Sequence, residues 1–263
     1  MSTGVPLWLI RKDLGISLEK GLPHVLGRTV TLRQILIFCG YYRRIGIVEL
    51  FLSGQPEGLF ENLSKSAWAF AFYLEGAKES AKATSHCEPF FDAIACGALD
   101  AARTIAERSR TTWNADEEYE EDFLYSRFLM DHFTLGAGRA HLEALLGRYE
   151  KILDGGEDSR LQLCRALLEG DQKLFDEPLD RLIDDRKRES ERKMKSGQVS
   201  PNDTATVFHL WVELLALLRF AGQARLKLAR NYPLAPSVAR RVELAKLPPG
   251  DSWKDIPSYY DLE

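Results

Sequence analysis

At 263 residues the chain is long enough to bury a sizeable core. Hydrophobic residues at 45% and charged residues at 28% exclude extensive disorder, and a net charge of −4 excludes an overall drive toward nucleic acid or anionic lipid. The charge is uneven: +2 over residues 1–110, −11 over 111–185 and +5 over 186–263, an acidic middle between two mildly basic ends.

Residues 1–28 carry Pro6, Gly15, Gly21, Pro23 and Gly27 and read as an irregular N-terminal segment, packed onto the body through Trp8, Leu9 and Ile10. Val5 to Ile10 is too short for the apolar core of a secretory signal, and Arg11 and Lys12 follow it instead of preceding it. Cys39, Cys87, Cys96 and Cys164 show no CxxC pair and lie in apolar contexts, which reads as reduced core cysteine. The expected location is cytoplasmic.

Helical hairpins are predicted over 29–195. Thr29 or Thr31 caps a helix that runs to about Leu52, and Pro56 suits the first position of the next, over 57–80. Leu59, Leu63, Ala67, Phe70 and Leu74 make its apolar face. The chain then repeats apolar helix, glycine, helix: 89–96, Gly97, 98–108; 122–135, Gly136, 139–153; 159–169, Gly170, 171–195. The hinge glycines stand 39 and 34 residues apart, near the period of helix-pair repeats, and glycine supplies the left-handed cap that such turns need.

Residues 203–222, capped by Asp203 or Thr204, are predicted to form the central buried helix. Between Val207 and Ala221 apolar residues point in every direction, interrupted only by His209, Glu213 and Arg219. The run falls short of the roughly 18 uncharged residues that a bilayer span needs. A short helix is expected over 237–247. The tail, 248–263, with Trp253, Tyr259 and Tyr260 among prolines, is expected to wrap the surface in extended form. With no hairpin dipeptide between alternating runs, the fold class is all-α: a multi-helix bundle of stacked helical hairpins, irregular and repeat-like, as one domain over 1–263.

No residues fall into a nucleophile elbow, a phosphate loop or a metal-ligand spacing. Asp131-His132 and His141 lie in consecutive helices that approach across Gly136, and His86-Cys87-Glu88 is a further polar triplet; neither spacing specifies a metal or a nucleophile. No cofactor and no metal is expected. His209 and Glu213, four apart, share a helix face; Glu213 is expected to be satisfied by His209 or by an arginine from another helix, since an unpaired buried carboxylate is costly. The alternative is that it lines a pocket. The basic residues Arg186, Lys187, Arg188, Arg192, Lys193 and Lys195 alternate with acids and lack interleaved aromatics, which reads as a solvated helix and not as a nucleic-acid site.

The most unusual stretch is Asp116, Glu117, Glu118, Tyr119, Glu120, Glu121 and Asp122, six acids in seven residues. One reading is a solvated helix start, since acids favour helix N-termini. The other is a docking patch for a basic partner, with Tyr119 as aromatic anchor and the carboxylates steering association.

The order of segments resembles the immunity protein 49 family, bacterial proteins that accompany polymorphic toxins. The resemblance is strongest where Leu174-Phe175 with Leu179 and Leu182 opens a helix and Trp211 to Leu218 leads to Tyr232-Pro233-Leu234-Ala235-Pro236. Upstream, Ala67 to Phe72, the stretch 90–113 and the stretch 120–135 fall in matching order, so that it covers about 55–240. The resemblance implies a cytosolic, non-catalytic antidote that binds the toxic domain of an effector and blocks its active site. The partner would be a cognate toxin domain, such as a basic nuclease or another modifying enzyme, with no direct nucleic acid and no membrane. An acidic face would complement a basic cleft. The competing readings are a helical-repeat scaffold and an enzyme built around His209 and Glu213.

Overall fold

A computed structural model describes residues 5–197, 199–228 and 230–259. Among these residues the protein is all-α, with eleven α-helices and no strand; the only extended pairing is an isolated bridge between Tyr232 and Ala235. The helices are α1 (Leu7–Leu26), α2 (Leu32–Ser53), α3 (Glu57–Gly76), α4 (Glu88–Cys96), α5 (Leu99–Arg108), α6 (Glu120–Phe133), α7 (Arg139–Leu153), α8 (Ser159–Glu169), α9 (Gln172–Ser196), α10 (Pro201–Ala205) and α11 (Val212–Gln223).

The N-terminal segment, expected to be irregular, is mostly helix α1. Ile10, Leu14 and Leu18 recur every fourth residue and are buried, with Val25 two turns further on. That apolar stripe outweighs the glycines and the proline that suggested a break. Gly15 serves packing: the Tyr259 ring occupies the place where a Cβ would stand. Pro23 falls in the last turn, where the helix is about to end.

Helix α2 opens with a full capping box, in which the Gln34 N–H donates to the Thr31 side chain and the Thr31 N–H to Gln34 Oε1 at 2.8 Å. It ends at left-handed Gly54. Pro56 is the N-cap of α3 and not its first helical residue, and α3 ends at Gly76, short of the expected Ser80; a 3-10 turn at Glu79–Ala81 follows. The three predicted hairpins form as α4/α5, α6/α7 and α8/α9, with Gly97, Gly136 and Gly170 all at positive φ.

The predicted helix over 203–222 divides in two. Ser200, not Asp203 or Thr204, caps the short α10, which ends at Thr206 in a non-helical conformation with its hydroxyl turned back to the Asn202 carbonyl. The Trp211 N–H then donates to the Leu234 carbonyl at 2.9 Å, so the chain restarts as α11 only at Val212. Local side-chain-to-backbone bonds by Ser and Thr compete with helix in this way. From Val212 on the prediction holds: Leu214, Ala216, Leu217, Phe220 and Ala221 are fully buried, and Phe220 stacks on Phe90 of α4 and Phe133 at the end of α6.

In place of a helix over 237–247 there are two 3-10 turns, Ser237–Arg240 and Val242–Leu244. The tail runs over the surface as expected, apart from one 3-10 turn at Ser252–Lys254 that anchors it. Trp253 is 2% exposed, lies against Phe38 and Phe72, and accepts the Tyr42 hydroxyl on its carbonyl at 2.5 Å. The Tyr259 N–H reaches Glu19 Oε1 at 2.9 Å, which ties the tail back to α1. Tyr260 lies outside the described residues. No helix among the described residues is long and apolar enough to cross a membrane.

Candidate partner-binding face

The acidic run is split between two local structures. Residues 114–118 form a turn, Tyr119 is the N-cap of α6, and only Glu120, Glu121 and Asp122 occupy its first turn. Asp116 and Glu117 are exposed, and Tyr119 is 74% exposed. Glu118 points inward: its Oε2 accepts the Ser85 N–H at 2.7 Å and its backbone carbonyl accepts the Trp113 indole N–H at 2.9 Å. Glu120 pairs with Arg148 at 2.6 Å and Asp122 with Arg160 at 2.5 Å. Glu121 is half-buried. The seven residues are thus neither one solvated helix start nor one uniform patch. They present Asp116, Glu117 and Tyr119 outward, and Glu118, Glu120 and Asp122 bind the turn to the body.

This turn stands at the mouth of a series of connected depressions. Glu117 and His86 line both a crevice under the acidic turn and a larger cleft, about 720 Å³, whose apolar wall is Leu32, Leu36, Ile37 and Tyr41. Arg43, Arg44 and Glu88 pass from that cleft into a narrower one reaching Glu213 and Trp211. Trp211, Glu213 and Arg186 continue into a fourth, along the Arg188 and Arg192 side of α9. One face of the molecule therefore carries a groove with the exposed carboxylates of Asp116 and Glu117 at one end and, at the other, arginines of α9 interspersed with Asp185 and Glu189.

Inside this face the charges are tightly partnered. Asp92 is fully buried and is held by two Arg43 bonds, at 2.6 and 2.7 Å, and by the Ser66 hydroxyl at 2.5 Å. Arg44 pairs with Asp203 at 2.6 Å. Glu213 accepts the Tyr125 hydroxyl at 2.9 Å. Burial raises its carboxyl pKa above the ordinary value, against the lowering effects of that bond and of Arg160 and Arg186. The expected His209 pairing does not occur: His209 is exposed and precedes α11, so the i, i+4 geometry is absent. No spacing rule links residue 213 to Tyr125, 88 positions away.

The approach of α6 and α7 across Gly136 is realised. His141 Nε2 lies 2.8 Å from Asp131 Oδ2, and Asp131 also pairs with buried Arg127. The expected polar triplet separates, with Cys87 buried in the core and His86 and Glu88 on the groove. All four cysteines are buried and free; burial pushes the Cys96 thiol up to about 12, far from a nucleophile's range. No group of three or more His, Cys, Asp or Glu among the described residues could hold a metal ion. On α9 the basic run forms ion pairs along its own helix, Arg188 with Asp185 at 2.9 Å and Lys193 with Glu189 at 2.6 Å, as a solvated helix should.

A protein-family model described as Immunity protein 49 matches residues 52–239, from the last turn of α2 to the 3-10 turn after Pro236. No curated protein and no solved structure matches the chain.

Proposed function

The chain belongs to the immunity protein 49 family, and on that premise we propose that it is a non-catalytic antidote of the cytosol, which binds the toxic domain of a cognate effector and blocks its active site. The observation that carries the binding surface is Tyr119: a large aromatic, 74% exposed, which lines a crevice with the exposed carboxylates of Asp116 and Glu117, the latter also reaching the cleft of about 720 Å³. Tyrosine is a common binding anchor because it offers contact area at low entropy cost, and carboxylates around it accelerate encounter with a basic cleft. A toxin that acts on a polyanion, such as a nuclease, supplies such a cleft.

Co-expression with the toxin encoded by the neighbouring gene tests the reading. The expected result is restored growth and a stoichiometric complex on a sizing column. Failure of both removes the proposal.

A further inference from the structure

Arg219 is the one polar interruption of the apolar α11 run that the groove does not use. It lies on the face of α11 that carries Leu215 and Leu218, six residues and so about 9 Å along the axis from Glu213. There it lines a separate cavity of about 190 Å³, together with Leu228, Val242 and Arg240. Arg240 arrives from the 3-10 turn Ser237–Arg240. No acidic residue lines this cavity, and among the described residues neither arginine forms an ion pair. Arg219 Nη1 and Arg240 Nε are buried without a hydrogen-bond partner.

Both arginines are half-buried and Arg240 lies over the Tyr232 ring at 5.3 Å, yet each leaves one buried donor unmade. A buried donor left unmade costs about 1–3 kcal/mol, and more when charged, so an orphan of this kind calls for an unseen ligand or ion. The carbonyl end of α4 attracts a cation here, since Gly97 lies against the Arg219 guanidinium. It does not satisfy Arg219 Nη1, which stays unbonded. Burial also pulls the Arg219 guanidinium below its ordinary range, as expected for a charge awaiting a partner.

We propose that the cavity between α11, the end of α4 and the 3-10 turn Ser237–Arg240 is a binding site for a small organic carboxylate, its acid group held by Arg219 and Arg240 and its apolar body by Leu215, Leu218, Leu228 and Val242. The volume fits a compact ligand, for an apolar protein cavity of about 150 Å³ accepts benzene. A carboxylate accepts from guanidinium groups on both oxygens, and the aliphatic wall rewards an apolar body, which a bare inorganic anion lacks. The site is independent of the toxin-binding reading, because it uses none of the groove residues.

Calorimetric titration of the full chain with benzoate, with benzamide and with inorganic phosphate decides the matter. Benzoate should bind saturably in the millimolar range or tighter, with benzamide and phosphate at least about tenfold weaker. Arg219→Met should weaken benzoate at least about tenfold while the unliganded variant melts no lower than the parent, because an unmade buried donor has been removed. Arg240→Met serves as the second variant should Arg219→Met fail to fold, and it should weaken benzoate severalfold. No saturable benzoate binding, equal binding of benzamide, equal binding of phosphate, or full affinity in a folded Arg219→Met variant would each overturn the assignment.

Discussion

Glu213 shows how a single side chain changes meaning when its helix shifts by a few positions. Had the helix begun at 203, His209 would have faced it one turn away; with α11 starting at Val212, its partner is the Tyr125 hydroxyl from α6. A neutral phenol relieves burial less than an ion pair does, so the carboxyl pKa stays raised. The folded state then binds this proton more tightly than the unfolded chain, whose ordinary value is 4.5. The contribution of Glu213 to stability is therefore most favourable at low pH and is lost as pH rises from about that value through the folded-state pKa. Glu213→Gln keeps an acceptor for Tyr125 without the charge. It should melt at or above wild type at neutral pH, with the gap closing on acidification toward pH 4; a lower melting temperature at neutral pH refutes this account. Tyr125→Phe, by contrast, leaves a buried carboxylate without its donor and should cost about 1–3 kcal/mol in urea unfolding.

Among the elements, the hinge glycines were legible because a helix that must stop and reverse needs a residue at positive φ. They are not equivalent. Gly136, at φ +65, has nothing within 4 Å of where a Cβ would lie, so Gly136→Ala should cost only the backbone term, about 1–2 kcal/mol. Gly97, at φ +84, would bring a Cβ to 3.0 Å from Val242 Cγ2 and 3.3 Å from Arg219 Nη2. Gly97→Ala should lose more, measured by chemical unfolding of the two variants side by side; equal losses would show that the second crowding is relieved at no cost. Helix α1 is the opposite case. Its glycines and Pro23 suggested irregular chain, yet Ile10, Leu14 and Leu18 repeat at helical spacing and are buried. Breakers read one at a time weigh less than a continuous apolar stripe with a partner surface to cover, and Tyr259, which packs onto Gly15 from the far end of the chain, belongs to no local pattern.

Across the whole molecule, many acids of 111–185 are paired, chiefly with arginines of the same stretch, so its net negative charge stands while single carboxylates are tied down. Glu120 with Arg148, Asp122 with Arg160, Glu150 with Arg165 at 2.7 Å and Asp180 with Arg230 at 2.8 Å join helices or hold segments together. Of the 116–122 run, what faces outward for a partner is Asp116, Glu117 and Tyr119. The double variant Asp116→Lys, Glu117→Lys should fold as wild type and slow capture of the toxin about tenfold or more at low salt, with the difference shrinking as salt is added. Glu120→Lys with Asp122→Lys should instead lower the melting temperature, because it sets like charges against Arg148 and Arg160. Stopped-flow association at two ionic strengths, beside thermal melts, separates the pairs; an unchanged on-rate for the first would remove the steering role of the exposed acids.

The sequence by itself determined that the protein is all-α, where most helices between Thr31 and Ser196 begin and end, and which family the chain resembles. Those properties follow from periodicity, caps and glycine hinges, which act over one or two helical turns. Tertiary structure decided which acids of the 116–122 run face outward, that Glu213 meets Tyr125, that Trp253 is a core residue, and that Arg219 and Arg240 share a cavity. Each of those depends on residues tens to hundreds of positions apart, brought together by helix packing, and no short-range pattern encodes which distant side chain will fill a given place in a core.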